Sequence, residues 1–238
     1  VGYPQNIETK NYLKKLNVKK IKLLGNLKFT GNNEDNFSKL NTRLKSQLKN
    51  KKIWIASSTH KNEEVFSIKT HLALKKNNKN LLTIIIPRHV HRINEIIEEI
   101  KKFNLTYVRH SQKKYKLNGV DIYVVDTFGE TKKFHKIGSS VFLGGSIVNK
   151  GGQNPLEAAR FGAKILHGPN IDNFRDVYKL LRSLNIAKKV NTPNQLASSI
   201  SFNKNRSLGI KIKNIGEKIL KKTIKELDNH INHEFKKT

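Results

Sequence analysis

The chain has 238 residues, and its 47 Lys and Arg against 18 Asp and Glu give a formal net charge of +29. This length suffices for one large or two small domains, and the short apolar clusters fall far below the roughly 20 residues of a membrane-spanning helix, so a soluble chain is expected. The absence of cysteine excludes a disulfide framework and a thiolate metal site and fits a cytosolic protein. The charge favours an anionic partner, and nucleic acid, an acidic lipid surface or a phosphorylated substrate would each satisfy it. A compositional bias toward lysine would leave the same surface. With no methionine anywhere, Val1 is not a natural start, and the chain is expected to be a piece of something longer.

Residues 1–50 hold a lysine-rich lead, a strand-like KIKLLGNLKF (20–29), a polar turn GNNED (31–35) and an amphipathic helix near 36–49; they read as an approach segment. From there the rhythm changes to short β-rich runs alternating with helix-length segments. KIWIASS (52–58) and LLTIII (81–86) read as buried strands, each followed by a helix, near 62–76 and 91–102. LTYVRH (105–110) and DIYVVD (121–126) are strand-like, GETKKFHKI (129–137) helical, SVFLGG (140–145) a strand, NPLEAARF (154–161) a helix and AKILHG (163–168) a strand. Continuous rather than alternating apolar strands belong to a parallel sheet covered on both faces, so the expected fold is α/β, Rossmann-like, with domain limits at 51–202. Ile215, Ile219, Ile224, Leu227 and Ile231 recur at helical spacing and predict an amphipathic helix over 213–235, inside a carboxyl-terminal segment 203–238.

In open α/β sheets ligands collect beyond the carboxyl ends of the strands. Four loops there are rich in polar residues: SSTHKNE (57–63), PRHVHR (87–92), DTFGE (126–130) and GGSIVNKGGQNPLE (144–157). In the last, Asn154 and Glu157 have capping-box spacing around Pro155, which local hydrogen bonds would explain. A cap does not explain the glycine pairs, whose bare amides before a helix could cradle phosphate or ribose. Gly151 and Gly152 are therefore candidate phosphate contacts. Thr127 and Glu130 repeat the ambiguity around Gly129. Arg88, at the sheet edge after Pro87, is placed to clamp an anion with two parallel donors. Thr59 and His60 suit a helix cap or a further phosphate contact. His89 and His91 lack a third ligand at recognisable spacing, so no metal site is read there.

WIASSTHKNEE, the IPRH turn, VVDTFGE and GGSIVNKGGQNPLEAA together resemble the carboxyl-terminal half of bacterial 3-deoxy-D-manno-octulosonic acid (Kdo) transferases, over about residues 20 to 200. Three positions depart from the usual pattern: Gln153 stands for histidine, Phe128 for methionine and Thr131 for leucine. The resemblance implies the carboxyl-terminal domain of a glycosyltransferase B fold that binds the donor CMP-Kdo, with no cofactor and no metal. The acceptor is the lipid A precursor of lipopolysaccharide biosynthesis, at the cytoplasmic face of the inner membrane. Carried over by motif, Pro87 and Arg88 meet the cytidine nucleotide, Phe128, Gly129 and Glu130 line its pocket, and Asn154, Pro155, Leu156 and Glu157 hold ribose and phosphate. Lys28 matches a lysine that steadies the transition state. Residues 1–50 would then be a remnant of the amino-terminal acceptor domain and its connector. The general-base glutamate and the membrane anchor would lie outside this chain, leaving it poorly active or inactive alone. Two other readings stay open, a UDP-sugar transferase of the same architecture and a basic module binding nucleic acid.

Overall fold

The apolar runs become strands packed edge to edge. In the computed structural model, which describes residues 1–31, 40–112 and 114–235, the strands are β1 (Lys52–Thr59), β2 (Leu81–Pro87), β3 (Tyr107–Arg109), β4 (Ile122–Val124), β5 (Ser140–Leu143), β6 (Lys164–His167) and β7 (Ala187–Lys189). They form one sheet in the order β3-β4-β2-β1-β5-β6-β7, and every pairing is parallel. The chain leaves β1 toward β2 on one side, while β5 pairs with β1 on the other, so the topology switches direction between β1 and β5. That divergence opens a crevice at the carboxyl ends of the two strands. The β1–β2 register shifts between Ser57 and Thr59, where Ser58 takes a φ of 55°; the irregularity turns the end of β1 out of the ladder.

The helices are α1 (Ile7–Lys15), α2 (Thr42–Leu48), α3 (Glu63–Lys75), α4 (Ile93–Lys102), α5 (Thr131–His135), α6 (Leu156–Arg160), α7 (Arg175–Ser183), α8 (Pro193–Ser199) and α9 (Arg206–Phe235). Ile93, Ile96, Ile97 and Ile100 fall on one face of α4 and are buried, each contributing on the order of 2 kcal/mol by burial. They join Trp54, Ala56, Ile85, Ile122 and Phe142 in one apolar cluster. Trp54, the chain's one tryptophan, is wholly buried on β1. On the far side of β1, a Cβ at Gly138 would come within 2.3 Å of Ile55 Cδ1, so the turn after α5 packs directly on the sheet. Parallel strands covered on both faces match the expected class.

The chain divides into two compact units, Asp35–Leu208 and the pair of end segments Val1–Glu34 with Gly209–Thr238. In the second unit, the expected strand over 20–29 does not form. Ile21 makes a single bridge with Gly2, and Leu27–Phe29 is a 3-10 turn. Gly25 takes a φ of 122°, and the Asn26 side chain accepts from Lys28 N–H at 2.9 Å, so local geometry bends the segment out of extended form. On α9, Gly216 passes so close to Phe29 that a Cβ would sit 2.1 Å from its carbonyl oxygen. Ile212 is buried and Ile215 and Ile219 partly so, whereas Leu220, Ile224, Leu227 and Ile231 are exposed. The turn expected at 31–35 falls largely on 32–39, outside the described residues, as do the first four residues of the helix expected at 36–49; α2 forms within the rest of that span.

Candidate functional site

The crevice is framed by a carboxylate. Glu63, wholly buried at the start of α3, accepts backbone N–H from His60 at 2.9 Å and Gly145 at 2.7 Å through Oε2. Through Oε1 it accepts from Ser146 at 3.1 Å and Ile147 at 2.9 Å. Four backbone donors on one carboxylate tie the loop after β1 to the loop after β5. The glycines there serve this closeness: a Cβ at Gly144 would lie 2.3 Å from Ser58 O, and one at Gly168 2.2 Å from Ser146 O. Gly151 and Gly152 each take a φ of 74°, and Gly152 N–H donates to Gly145 O at 2.8 Å. The bare backbone of this loop is thus largely committed to its own chain.

Cations gather over the frame. Arg88 is exposed beyond β2, with its backbone N–H donated to Thr59 O at 2.9 Å, while Pro87 is buried. The His60 ring lies 5.7 Å from that of His89, which lies 5.5 Å from that of His91. A Cβ on Gly145 would meet Gln153 Nε2 at 3.3 Å, His60 Nε2 at 3.4 Å and Lys150 Cβ at 3.4 Å, so these side chains converge above the tied amides. Burial lowers the His60 pKa; His89, Lys150 and Arg88 push the same way against the pull of Glu63. Such a field rewards an anion beside His60. Thr59 is buried at the end of β1, beneath this cluster.

The loop after β4 is built differently. Phe128 is 81% exposed, and Gly129, at a φ of 80°, has open space where a Cβ would be. Glu130 pairs with Lys133 Nζ at 2.8 Å and lies 3.6 Å from His110 Nε2. The capping box that the spacing of Thr127 and Glu130 allowed does not form: Thr127 Oγ1 is buried without a hydrogen-bond partner, and α5 has no side-chain cap.

Asn154 is exposed and accepts from Leu156 N–H at 3.0 Å, while Pro155 and Leu156 are buried. Asn154 therefore caps the first turn, but Glu157 does not close the box. Its Oε1 meets His135 Nδ1 at 2.9 Å, and His135 Nε2 meets Ser57 Oγ at 2.9 Å. At five residues, α6 is also too short for its dipole to hold an anion unaided. Tyr178 O–H, on α7, donates to Gln153 O at 3.0 Å and backs the loop from behind. Lys28 belongs to the other unit, exposed in the 3-10 turn. Sequence reasoning passed over Glu63, Lys150 and His135. Only Glu63 carried a signal, standing three residues after His60 at a helix start.

At the opposite edge of the sheet, a groove of about 570 Å³ is lined by Arg43, Lys51, Asn80 and Lys116 among others. It lies at the amino ends of the strands, away from this chemistry. Among the described residues, no group of three or more His, Asp or Glu is placed to hold a metal ion, and no helix is long and apolar enough to cross a membrane.

The seven-stranded parallel sheet with its crevice of polar loops is a Rossmann-like domain of the glycosyltransferase B class. It superposes on the C-terminal CMP-Kdo binding domain of WaaA from Acinetobacter baumannii with a TM-score of 0.62 at 22% identity, over 78% of this chain and 93% of that one. The sequence is homologous to Kdo transferases: it is 31% identical to 3-deoxy-D-manno-octulosonic acid transferase of Haemophilus influenzae over 174 residues, 73% of this chain. Against the enzyme of the same name from Rickettsia felis it is 32% identical over 194 residues, 79% of the chain. A bifunctional glycosyltransferase/methyltransferase of Fusobacterium nucleatum is 30% identical over 185 residues, 76% of the chain and 28% of that protein. The chain spans 41% of the length of each of the first two relatives. No family model matches it.

Proposed function

We propose that this chain binds the nucleotide of CMP-Kdo in the crevice between β1 and β5, as the donor-binding part of a Kdo transferase. The observation that carries this reading is the convergence of Arg88, His60 and Lys150 above the loop that Glu63 holds. Arg88 grips the cytidylate phosphate, the backbone at Pro87 and Gly129 and the face of Phe128 receive the base, and Asn154 and Glu157 meet the ribose. Glu130 and the backbone of Pro155 and Leu156 shape the floor, with Thr59, Gly151 and Gly152 nearest the phosphate.

When the glycosidic bond breaks, negative charge grows on the departing cytidylate. Cations fixed beforehand at that point stabilise the transition state more than the ground state. Arg88 and Lys150 supply the charge that a divalent ion would otherwise carry, so the transfer is metal-independent, and attack from the opposite face inverts the anomeric carbon. The acceptor, a lipid A precursor, and the general base meet this domain in the longer protein at the inner-membrane surface. This chain alone therefore binds donor without turnover.

Calorimetry tests the reading. CMP should bind the folded chain, more tightly than UMP, and Arg88→Ala should weaken it by about tenfold or more, the loss of a charge-assisted pair. Correctly folded protein that takes up no CMP overturns the proposal, and UMP binding more tightly than CMP reassigns the donor to a UDP-sugar.

A further inference from the structure

Glu157 reaches the rim from the first turn of α6, and its orientation is imposed from the core. His135, the last residue of α5, is 3% exposed and Ser57 on β1 is wholly buried, whereas the Glu157 side chain is 30% exposed. The three groups form a line from sheet to rim, Ser57 Oγ to His135 Nε2 at 2.9 Å and His135 Nδ1 to Glu157 Oε1 at 2.9 Å. A carboxylate only accepts, so in the neutral imidazole the Nδ1 carries the proton and donates to Glu157, leaving Nε2 to accept from the Ser57 hydroxyl. Each group has one role that satisfies the next. The backbone of His135 is itself held, its carbonyl accepting from Lys204 Nζ at 3.3 Å.

The composition is that of a hydrolase triad, but here the serine is sealed within the sheet where no substrate reaches it. The line therefore orients its outer end, as a triad's inner carboxylate orients its histidine. We propose that His135 and Ser57 are positioning residues that fix the Glu157 carboxylate to accept the two hydroxyls of a nucleotide's ribose diol; this rests on the donor-binding reading above. In the first turn of α6 the Asn154 side chain is spent on Leu156 N–H, so the cap leaves the Glu157 carboxylate to His135.

The test is titration of this chain with CMP and with 2′,3′-dideoxycytidine monophosphate. His135→Ala should weaken CMP about tenfold, the worth of one hydrogen bond to a charged group, and leave the dideoxy nucleotide unchanged. His135→Asn, which keeps a donor toward Glu157, should restore most of the affinity, and in a Glu157→Ala background His135→Ala should cost nothing more. Equal loss for both nucleotides, or additive loss in the double variant, overturns the proposal. Nitrogen-15 spectra of the imidazole supply a reading independent of ligand: an Nδ1–H tautomer at His135 that is lost in Glu157→Ala is expected, and an Nε2–H tautomer overturns the relay. Failure of the unaltered chain to bind CMP strikes the donor reading and the ribose target, while the imidazole spectra still decide the relay.

Discussion

Two loops at the same edge of the sheet use glycine for opposite ends. In the loop after β5, a Cβ at Gly144 would fall 2.3 Å from Ser58 O and 2.7 Å from Glu63 Oε2, so glycine there lets two loops of one chain close on a shared carboxylate. In the loop after β4, Gly129 has nothing within 4 Å of a Cβ, and Phe128 beside it is 81% exposed. The first loop is a frame and the second is a surface. Glycine before a helix looks alike in sequence in both cases, so its meaning lies in what stands opposite.

The contrast predicts a descending series of effects. Glu63→Ala strands four backbone donors in the frame and should cost about 4 kcal/mol, seen as a fall of roughly 10 °C in melting temperature; an unchanged melting curve would refute the frame. Next comes pH. His167, wholly buried behind the framed loop, donates Nδ1–H to Gly168 O at 2.6 Å, and burial pushes its pKa down to about 4. The unfolded chain binds this proton below about pH 6.5 and the folded chain only below about 4. Stability is therefore intact above the unfolded value and falls by about 3 kcal/mol as pH drops through that window. Denaturant titrations at pH 7 and pH 4.5 should show the slope, and His167→Gln should flatten it.

Smaller effects separate the loops themselves. Gly144→Ala should cost about 2 kcal/mol by overpacking, against about 1 kcal/mol for Gly129→Ala, whose penalty is backbone conformation alone; a reversed order would show that the loops have been assigned the wrong parts. Phe128→Ala should leave stability within about 0.5 kcal/mol yet weaken CMP several-fold, on the order of one stacking contact. Calorimetry and melting of the same preparation check both halves.

Much of the framework was legible because burial writes itself into composition. LLTIII and SVFL announce strands shielded on both faces, and the isoleucines of 93–100 announce a helix face. β7 was not legible, since its AKK sits at the sheet edge with both lysines exposed, and neither α7 nor α8 was read after residue 168. At the site, the sequence located the four loops and offered Glu157 both as half of a capping box and as a ligand contact. Nothing local tells that His135, 22 residues earlier, will reach it, because that meeting is made by the sheet. Similarly, bare amides after β5 read as a cradle for a ligand until Glu63, 82 residues before Gly145, is seen to occupy them.

The single indole at Trp54 has a practical corollary. It lies at the centre of the unit Asp35–Leu208, and the segments Val1–Glu34 and Gly209–Thr238 contain none. Its emission will thus redden when the sheet opens and stay blind to the end segments, whereas far-ultraviolet ellipticity is dominated by helices and includes the 30 residues of α9. Overlaid fluorescence and dichroism melts, recorded without any label, therefore measure whether the two units unfold together or in turn.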